Sequence, residues 1–235
     1  MKLLDQIRTI RFNKFDYFLL AILLLFNIYN VIDKKEFDII SLTTSISGIL
    51  CVLLAAKGNI TNFFFGAFNG LLYAFVAFKS AYWGEVMLNL GFYFPMQFIG
   101  YYMWSKHMSK EKGEEGVVKT FRLNWKSRTI LAVFCVIAIY LYSLLLTKLK
   151  GQAPALDSAS TVLSVVAMLL AIKAYAEQWL IWITVNILSV TLWVLSYQKG
   201  GDHSFVMIGM WGAYFINSIY GYINWMRLSK GDKLQ

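Results

Sequence analysis

Charge is what this 235-residue chain is short of: Asp, Glu, Lys and Arg make up 15% of it, against about 25% in a soluble domain. Histidine occurs only as His107 and His203, both in polar connecting stretches, and the two cysteines, Cys51 and Cys135, sit inside apolar runs with no metal-type spacing to another ligand. Neither a disulfide framework nor a bound metal is expected from that pattern. GxSxG, HExxH, P-loop and GxGxxG motifs are all missing, and buried nucleophile–base pairs are missing with them, so no enzyme and no cofactor is expected. Nor does a net charge of +9 indicate nucleic acid. The basic residues sit in the termini and loops and gather on one side of the topology described next, which makes them a topology signal.

What the chain has instead is apolar length. Hydrophobic residues account for 58% and aromatics for 17%. A membrane span needs roughly 20 mostly apolar residues, and eight candidates are predicted, at 15–32, 39–56, 60–78, 81–104, 128–147, 156–173, 178–197 and 204–226. The basic start followed by an apolar run resembles a signal peptide, but no small-residue cleavage site follows it, so it is read as a retained helix. With eight spans both termini share a side. That side collects 16 of the 22 Lys and Arg residues, leaving Lys34, Lys35, Lys79, Lys148, Lys150 and Lys199 opposite. Cytoplasmic loops attract such an excess, which predicts both termini inside.

The chain repeats itself. Gly91, Tyr93, Gly100, Tyr101 and Trp104 return 121 positions later as Gly212, Tyr214, Gly221, Tyr222 and Trp225. Upstream, Ser41-x-x-Thr44-x-x-Ser47 returns at an offset of 117 as Ser158-x-x-Thr161-x-x-Ser164, which aligns Asn69 with Asn186. A four-residue insertion near Lys199-Gly200-Gly201 is the expected reason for the change of offset. The fold expected is therefore an all-α membrane protein in a single domain, 1–235. It has repeat one at 39–104, a connecting helix at 128–147, repeat two at 156–226 and an accessory helix at 15–32. Three helices per repeat with one connector give both repeats the same orientation, the parallel arrangement found in SWEET sugar transporters.

Polar residues fall in stripes on these helices. Trp179, Trp182, Asn186 and Trp193 share one helical face, and Asn89, Tyr93 and Gln97 follow at four-residue steps, with Tyr214 and nearby Asn217 in the matching helix. A buried amide must find a partner, so Asn69, Asn89, Gln97, Asn186 and Asn217 are expected to face the bundle interior, either as interhelical glue or as ligand contacts. Trp83, Trp104, Trp125 and Trp225 lie at predicted helix ends and are read as interface-belt residues. No Asp, Glu, Lys, Arg or His lies at the centre of a predicted span; Glu85 and Asp157 are placed near helix ends. Coupled transporters usually carry an ionisable relay, so uncoupled movement is expected. A phosphate dianion would also want Arg or Lys at its site. An aromatic and amide lining suits a neutral or cationic substrate with a flat ring.

Trp179-Leu-Ile-Trp182 with Asn186, two three-helix repeats, and Asn89–Gly91–Tyr93–Pro95–Gln97 in the other half together resemble the PnuC family of bacterial vitamin B3 transporters. The resemblance runs from about residue 39 onward. It implies a SWEET-like fold, nicotinamide riboside as substrate, facilitated diffusion across the inner membrane, trapping by a cytoplasmic riboside kinase, and assembly into homo-oligomers, with a trimer as the candidate. The substrate-binding residues expected are Trp182, Asn186, Trp179, Asn89, Gln97, Asn69, Tyr93, Tyr214 and Asn217. The rival readings are a SWEET-type sugar facilitator and a ligand-sensing membrane scaffold signalling through 105–128.

Overall fold

The computed structural model of the chain describes residues 12–34, 38–79, 83–108, 117–148, 154–200 and 204–229. Among them are helices α1 (Lys14–Lys34), α2 (Ile39–Ala56) and α3 (Asn62–Lys79), followed by α4, which runs as Trp83–Leu88, a π-helical turn Asn89–Tyr93 and Phe94–Lys106. Beyond the loop come α5 (Trp125–Lys148), α6 (Pro154–Ile172), α7 (Gln178–Gln198) and α8 (Ser204–Leu228). Every predicted span is a helix. Four of them, α2, α5, α6 and α7, are long and apolar enough to cross a membrane on length and composition. In α3 and α8 the aliphatic residues give way to Asn, Gly, Tyr and Trp. The expected insertion at Lys199 to Gly201 falls partly outside the described residues, as do the loop at 109–116 and the Trp83 side chain.

Local chemistry fixes the ends of the helices. At the start of α1, the Asn13 side chain accepts the Asp16 backbone N–H while the Asp16 carboxylate accepts that of Asn13, a reciprocal cap. Asp16 also pairs with Lys57, tying α1 to the end of α2. Asp38 caps α2 by accepting from the Ser41 N–H, and Pro154 opens α6, where a missing N–H costs nothing. The π turn in α4 adjoins Pro95: a proline ring clashes with the carbonyl four residues back, here that of Gly91, and the turn shifts the bonding so that Phe94 N–H reaches Asn89 O.

The duplication is written into the backbone. After α2, Gly58 N–H bonds Ala55 O and Asn59 N–H bonds Leu54 O; after α6, Ala174 bonds Ala171 O and Tyr175 bonds Leu170 O. Gly58 and Ala174 carry the left-handed φ of this turn, 68° and 56°. These matches pair residues 116 apart, one fewer than the Ser/Thr stripe suggested. The expected register is therefore off by one in α2/α6 and α3/α7, and Asn186 corresponds to Gly70, not to Asn69. The stripe misled because Ser and Thr recur densely in α2 and α6, so a slip of one residue still finds hydroxyls.

The packing obeys the same symmetry. The third helix of each repeat lies on the first helix of the other, α8 on α2 and α4 on α6. In each pairing an indole N–H crosses the interface: Trp225 Nε1 to Ala55 O and Trp104 Nε1 to Ala171 O, both 3.0 Å. Trp104 and Trp225 are 2% and 0% exposed, which corrects their reading as belt residues. An indole that finds a carbonyl partner on a neighbouring helix can be buried whole. Trp125, by contrast, is 78% exposed at the start of α5. That helix packs on α6 and otherwise presents its apolar side chains outward.

A short strap, residues 117–124, closes one end of the bundle by bonding to both repeats. Val118 N–H reaches Gly58 O, Phe121 N–H reaches Ala174 O, and Phe121 O accepts Ala176 N–H. The buried Glu177 carboxylate anchors it, accepting from Leu123 N–H at 3.1 Å and from Arg128 Nη2 at 2.6 Å. Glu177→Ala is expected to cost about 1–3 kcal/mol by unsatisfying these donors. The check is a lowered thermal unfolding midpoint in detergent, with Glu177→Gln intermediate.

Candidate functional site

Between the repeats lies a cavity of about 160 Å³. Its wall is built from equivalent positions of both repeats. From α3 and α7 come Asn62 and Gln178, Phe63 and Trp179, Gly66 and Trp182, Gly70 and Asn186, Tyr73 and Ser189. Helices α4 and α8 add Asn89 and Met210, Tyr93 and Tyr214, Gln97 and Ser218, while α2 and α6 add Gly48 and Ser164. The symmetry extends to how rings are seated. A Cβ on Gly100 would stand 2.2 Å from the Phe63 ring, and one on Gly221 would stand 2.7 Å from the Trp179 indole. Glycine at these two positions lets each ring approach a helix backbone closely.

Aromatic groups close both ends. Near the strap, Trp104, Trp179 and Trp225 form a contiguous cluster with Phe63. At the other end, Tyr73 OH accepts from Trp193 Nε1 at 3.1 Å and from Trp211 Nε1 at 3.4 Å. Between them Tyr93 and Trp182 face each other across the repeats, with ring centroids 6.3 Å apart.

Eight of the nine expected site residues border the cavity: Trp182, Asn186, Trp179, Asn89, Gln97, Asn69, Tyr93 and Tyr214. Asn217 does not. Its amide donates to Val52 O at 2.8 Å and is fully buried against α2, because it sits one residue before Ser218 and so faces a neighbouring helix. Three of the other amides are pinned on one side. Asn69 donates to Thr44 O, Asn89 to Glu85 O, and Asn186 to Ser218 Oγ, at 2.7, 2.8 and 2.7 Å. Holding an amide by its NH₂ group fixes the rotamer and leaves the carbonyl oxygen as the free acceptor. Three buried groups on the wall take no bond from the protein: Trp179 Nε1, Gln178 Nε2 and Tyr214 OH. Buried donors of this kind are ready contacts for a polar ligand.

Gln178 and Glu85 are among the wall residues not expected from the sequence. Gln178 is the first residue of the predicted span 178–197 and directly precedes the WxxW pair. Glu85 was set aside as close to a helix terminus, yet it lines the cavity. The signal was there: Glu85, Asn89, Tyr93 and Gln97 form one ladder at four-residue steps, and all four border the same space. Lys, Arg and His are absent from the wall as described.

This construction has known counterparts. The sequence profile of the family described as nicotinamide mononucleotide transporter matches residues 38–227. The chain belongs to the PnuC family. A nicotinamide riboside transporter PnuC of Neisseria mucosa is 41% identical over 187 residues, covering 79% of this chain and 71% of that one. One from Haemophilus influenzae is 39% identical over 191 residues, covering 81% and 80%. The crystal structure of the vitamin B3 transporter PnuC superposes with a TM-score of 0.82 at 36% identity, covering 95% of each chain. The eight-helix membrane-transporter fold expected from the sequence stands.

The amides can be sorted by experiment. Asn186→Ala and Gln97→Ala are expected to weaken ligand binding by about 1–3 kcal/mol, the usual cost of an unpaired polar group. Asn217→Ala should lower thermal stability and leave affinity unchanged. Isothermal titration alongside thermal unfolding reads both, and equal affinity losses in all three would show that the cavity does not hold the ligand.

Proposed function

We propose that the protein carries nicotinamide riboside across the bacterial inner membrane by facilitated diffusion. The observation that carries this reading is the cavity wall, where indole and phenol rings alternate with one-sidedly pinned amides and no basic residue is present. A flat pyridinium ring can stack on the indole and phenol faces, a contact worth about 1–3 kcal/mol per base in comparable sites. The ribose and carboxamide offer donors to the free carbonyls of Asn186 and Asn69 and acceptors to Trp179, Gln178 and Tyr214. The relatives from Neisseria mucosa and Haemophilus influenzae, nicotinamide riboside transporters, support the riboside. The family description names the mononucleotide, but a wall carrying a carboxylate and no Lys or Arg does not fit a phosphate dianion. The aromatic wall, with Trp182 facing Tyr93, also favours a substrate with a planar ring over a sugar.

Uncoupled movement follows from the same wall. A proton-driven carrier needs a chain of ionisable groups leading through the membrane. Glu85 is the one carboxylate on the wall as described; the acid that acts on it, Asp157, lies off the wall in the first turn of α6, and no lysine or histidine lines the wall as described. Accumulation in the cell then depends on a cytoplasmic riboside kinase, because the phosphorylated product no longer suits the site. The excess of Lys and Arg on the terminal side supports cytoplasmic termini, and the twice-used third-on-first helix interface supports parallel repeats about an axis along the membrane normal. The outward apolar face of α5 is available for lipid or for neighbouring subunits of a homo-oligomer such as a trimer.

Two measurements test the reading. Trp182→Ala, which removes the half-buried ring facing Tyr93, should weaken riboside binding by about 1–3 kcal/mol, while Trp179→Ala, losing a fully packed indole, should lower stability as well. Unchanged affinity in a folded Trp182→Ala variant would remove the ring from the site. In liposomes without kinase, with the membrane potential clamped at zero, internal riboside should rise only to the external concentration whatever proton or sodium gradient is imposed. Uphill accumulation under that clamp would establish coupling.

A further inference from the structure

We propose that Glu85 is the counter-charge by which this cavity selects a cationic ring, separating the pyridinium of nicotinamide riboside from neutral rings of the same shape. The inference rests on the riboside reading and adds to it a specificity-determining residue. Glu85 is the one carboxylate on the cavity wall as described, and no Lys, Arg or His shares that wall. The ion pairs among the described residues are Lys57–Asp16 and Arg128–Glu177, both elsewhere, so among those residues the Glu85 carboxylate has no paired cation. Nor does its ladder neighbour neutralise it: Asn89 donates to the backbone carbonyl of Glu85, leaving the carboxylate unengaged. The charged group that acts on it is Asp157 in the first turn of α6, which is of the same sign.

A lone carboxylate among rings needs a positive charge nearby, since burying an uncompensated ion is costly. The ligand reading supplies one that the protein does not. Ring faces attract a cation too, but a neutral dihydropyridine stacks on the same faces, so stacking discriminates weakly between the two. The carboxylate discriminates by charge alone. Opposite unit charges about 6–12 Å apart at an effective dielectric of about 20 differ from a charge–neutral contact by about ten- to a hundredfold in affinity.

The experiment compares two ligands on purified protein in lipid nanodiscs: nicotinamide riboside, and its reduced dihydropyridine form, whose ring is neutral while ribose and carboxamide are unchanged. The wild type is expected to prefer the cation by about tenfold or more. Glu85→Gln should erase that preference by lowering affinity for the cation, with the neutral ring bound as before, which also reports that the variant is folded. Glu85→Asp, which keeps the charge, should keep the preference. Equal binding of both rings by the wild type, or a preference that survives in Glu85→Gln, would overturn the proposal, and the wild-type comparison decides it even where the Gln variant does not fold. Failure of the wild type to bind either ring would overturn the riboside reading itself, and this inference with it.

Discussion

A polar cavity inside an apolar bundle persists only if its amides are held in place by something other than water. In hydrocarbon surroundings an unpartnered amide costs several kcal/mol, so each one on this wall is either bound to the helical scaffold or left ready for a ligand. Asn69, Asn89 and Asn186 are bound at one end and open at the other. Their donors go to carbonyls and a hydroxyl of the scaffold, which fixes the side chains without filling their acceptors. The same bonds hold helices together: Asn69 ties α3 to α2, and Asn186 ties α7 to α8. Site and scaffold are one network, so the cavity cannot be emptied of polar groups without loosening the bundle around it.

Where the network needs strength without polarity, indoles supply it. Trp104 and Trp225 each send an N–H across the seam between repeats while their rings fill the cluster beside the strap. Hydrophobic association is weak between helices that face lipid, and packing with interhelical hydrogen bonds does the holding. Glycines complete the arrangement by letting Phe63 and Trp179 approach α4 and α8 at backbone distance. The aromatic floor of the cavity is thus part of the seam between the two halves.

Much of this was legible in the sequence. Apolar length marks the eight helices, and the charged separators mark their ends. Recurring Gly, Tyr and Trp residues set the pairing of α4 with α8 correctly, because Gly–Tyr–Gly–Tyr–Trp is too particular to slip. Serine and threonine are not, and the register of the other two helix pairs came out one residue wrong. A one-residue slip turns a helix by about 100°, enough to pair Asn69 with Asn186 when the structure pairs Gly70 with it. Asn217 looked like a wall residue for a related reason: it neighbours one that is. Trp104 and Trp225 looked like belt residues because a position at a helix end predicts exposure only if no other helix covers it. The π turn at Asn89–Tyr93 has a visible cause in Pro95, but the sequence does not reveal whether a proline will kink, end or widen a helix.

Duplication brings a difficulty of its own. Two equivalent repeats build a wall with pseudo-twofold symmetry, whereas a riboside has a ring at one end and a sugar at the other. The chain breaks the symmetry by exchanging size at fixed positions without altering the backbone. Gly66 stands where repeat two has Trp182, and Gly70 where it has Asn186, so only the second repeat projects a ring and an amide into the cavity from these positions; the Gln97 amide lies against Gly66, and the space beside Gly70 is open. One turn beyond Gly70 the exchange reverses: Tyr73 in repeat one stands where repeat two has Ser189, and its hydroxyl gathers the two indole N–H groups that close that end. On α4 and α8 the paired tyrosines are kept, but Asn89 is opposed by Met210 and Gln97 by Ser218, which puts most of the polarity of those helices on the first repeat. Each half therefore supplies what the other lacks. An asymmetric site has been obtained from a symmetric scaffold by side-chain volume and polarity alone, and the carboxylate of Glu85, which heads the α4 ladder, falls on the same half as the surplus amides.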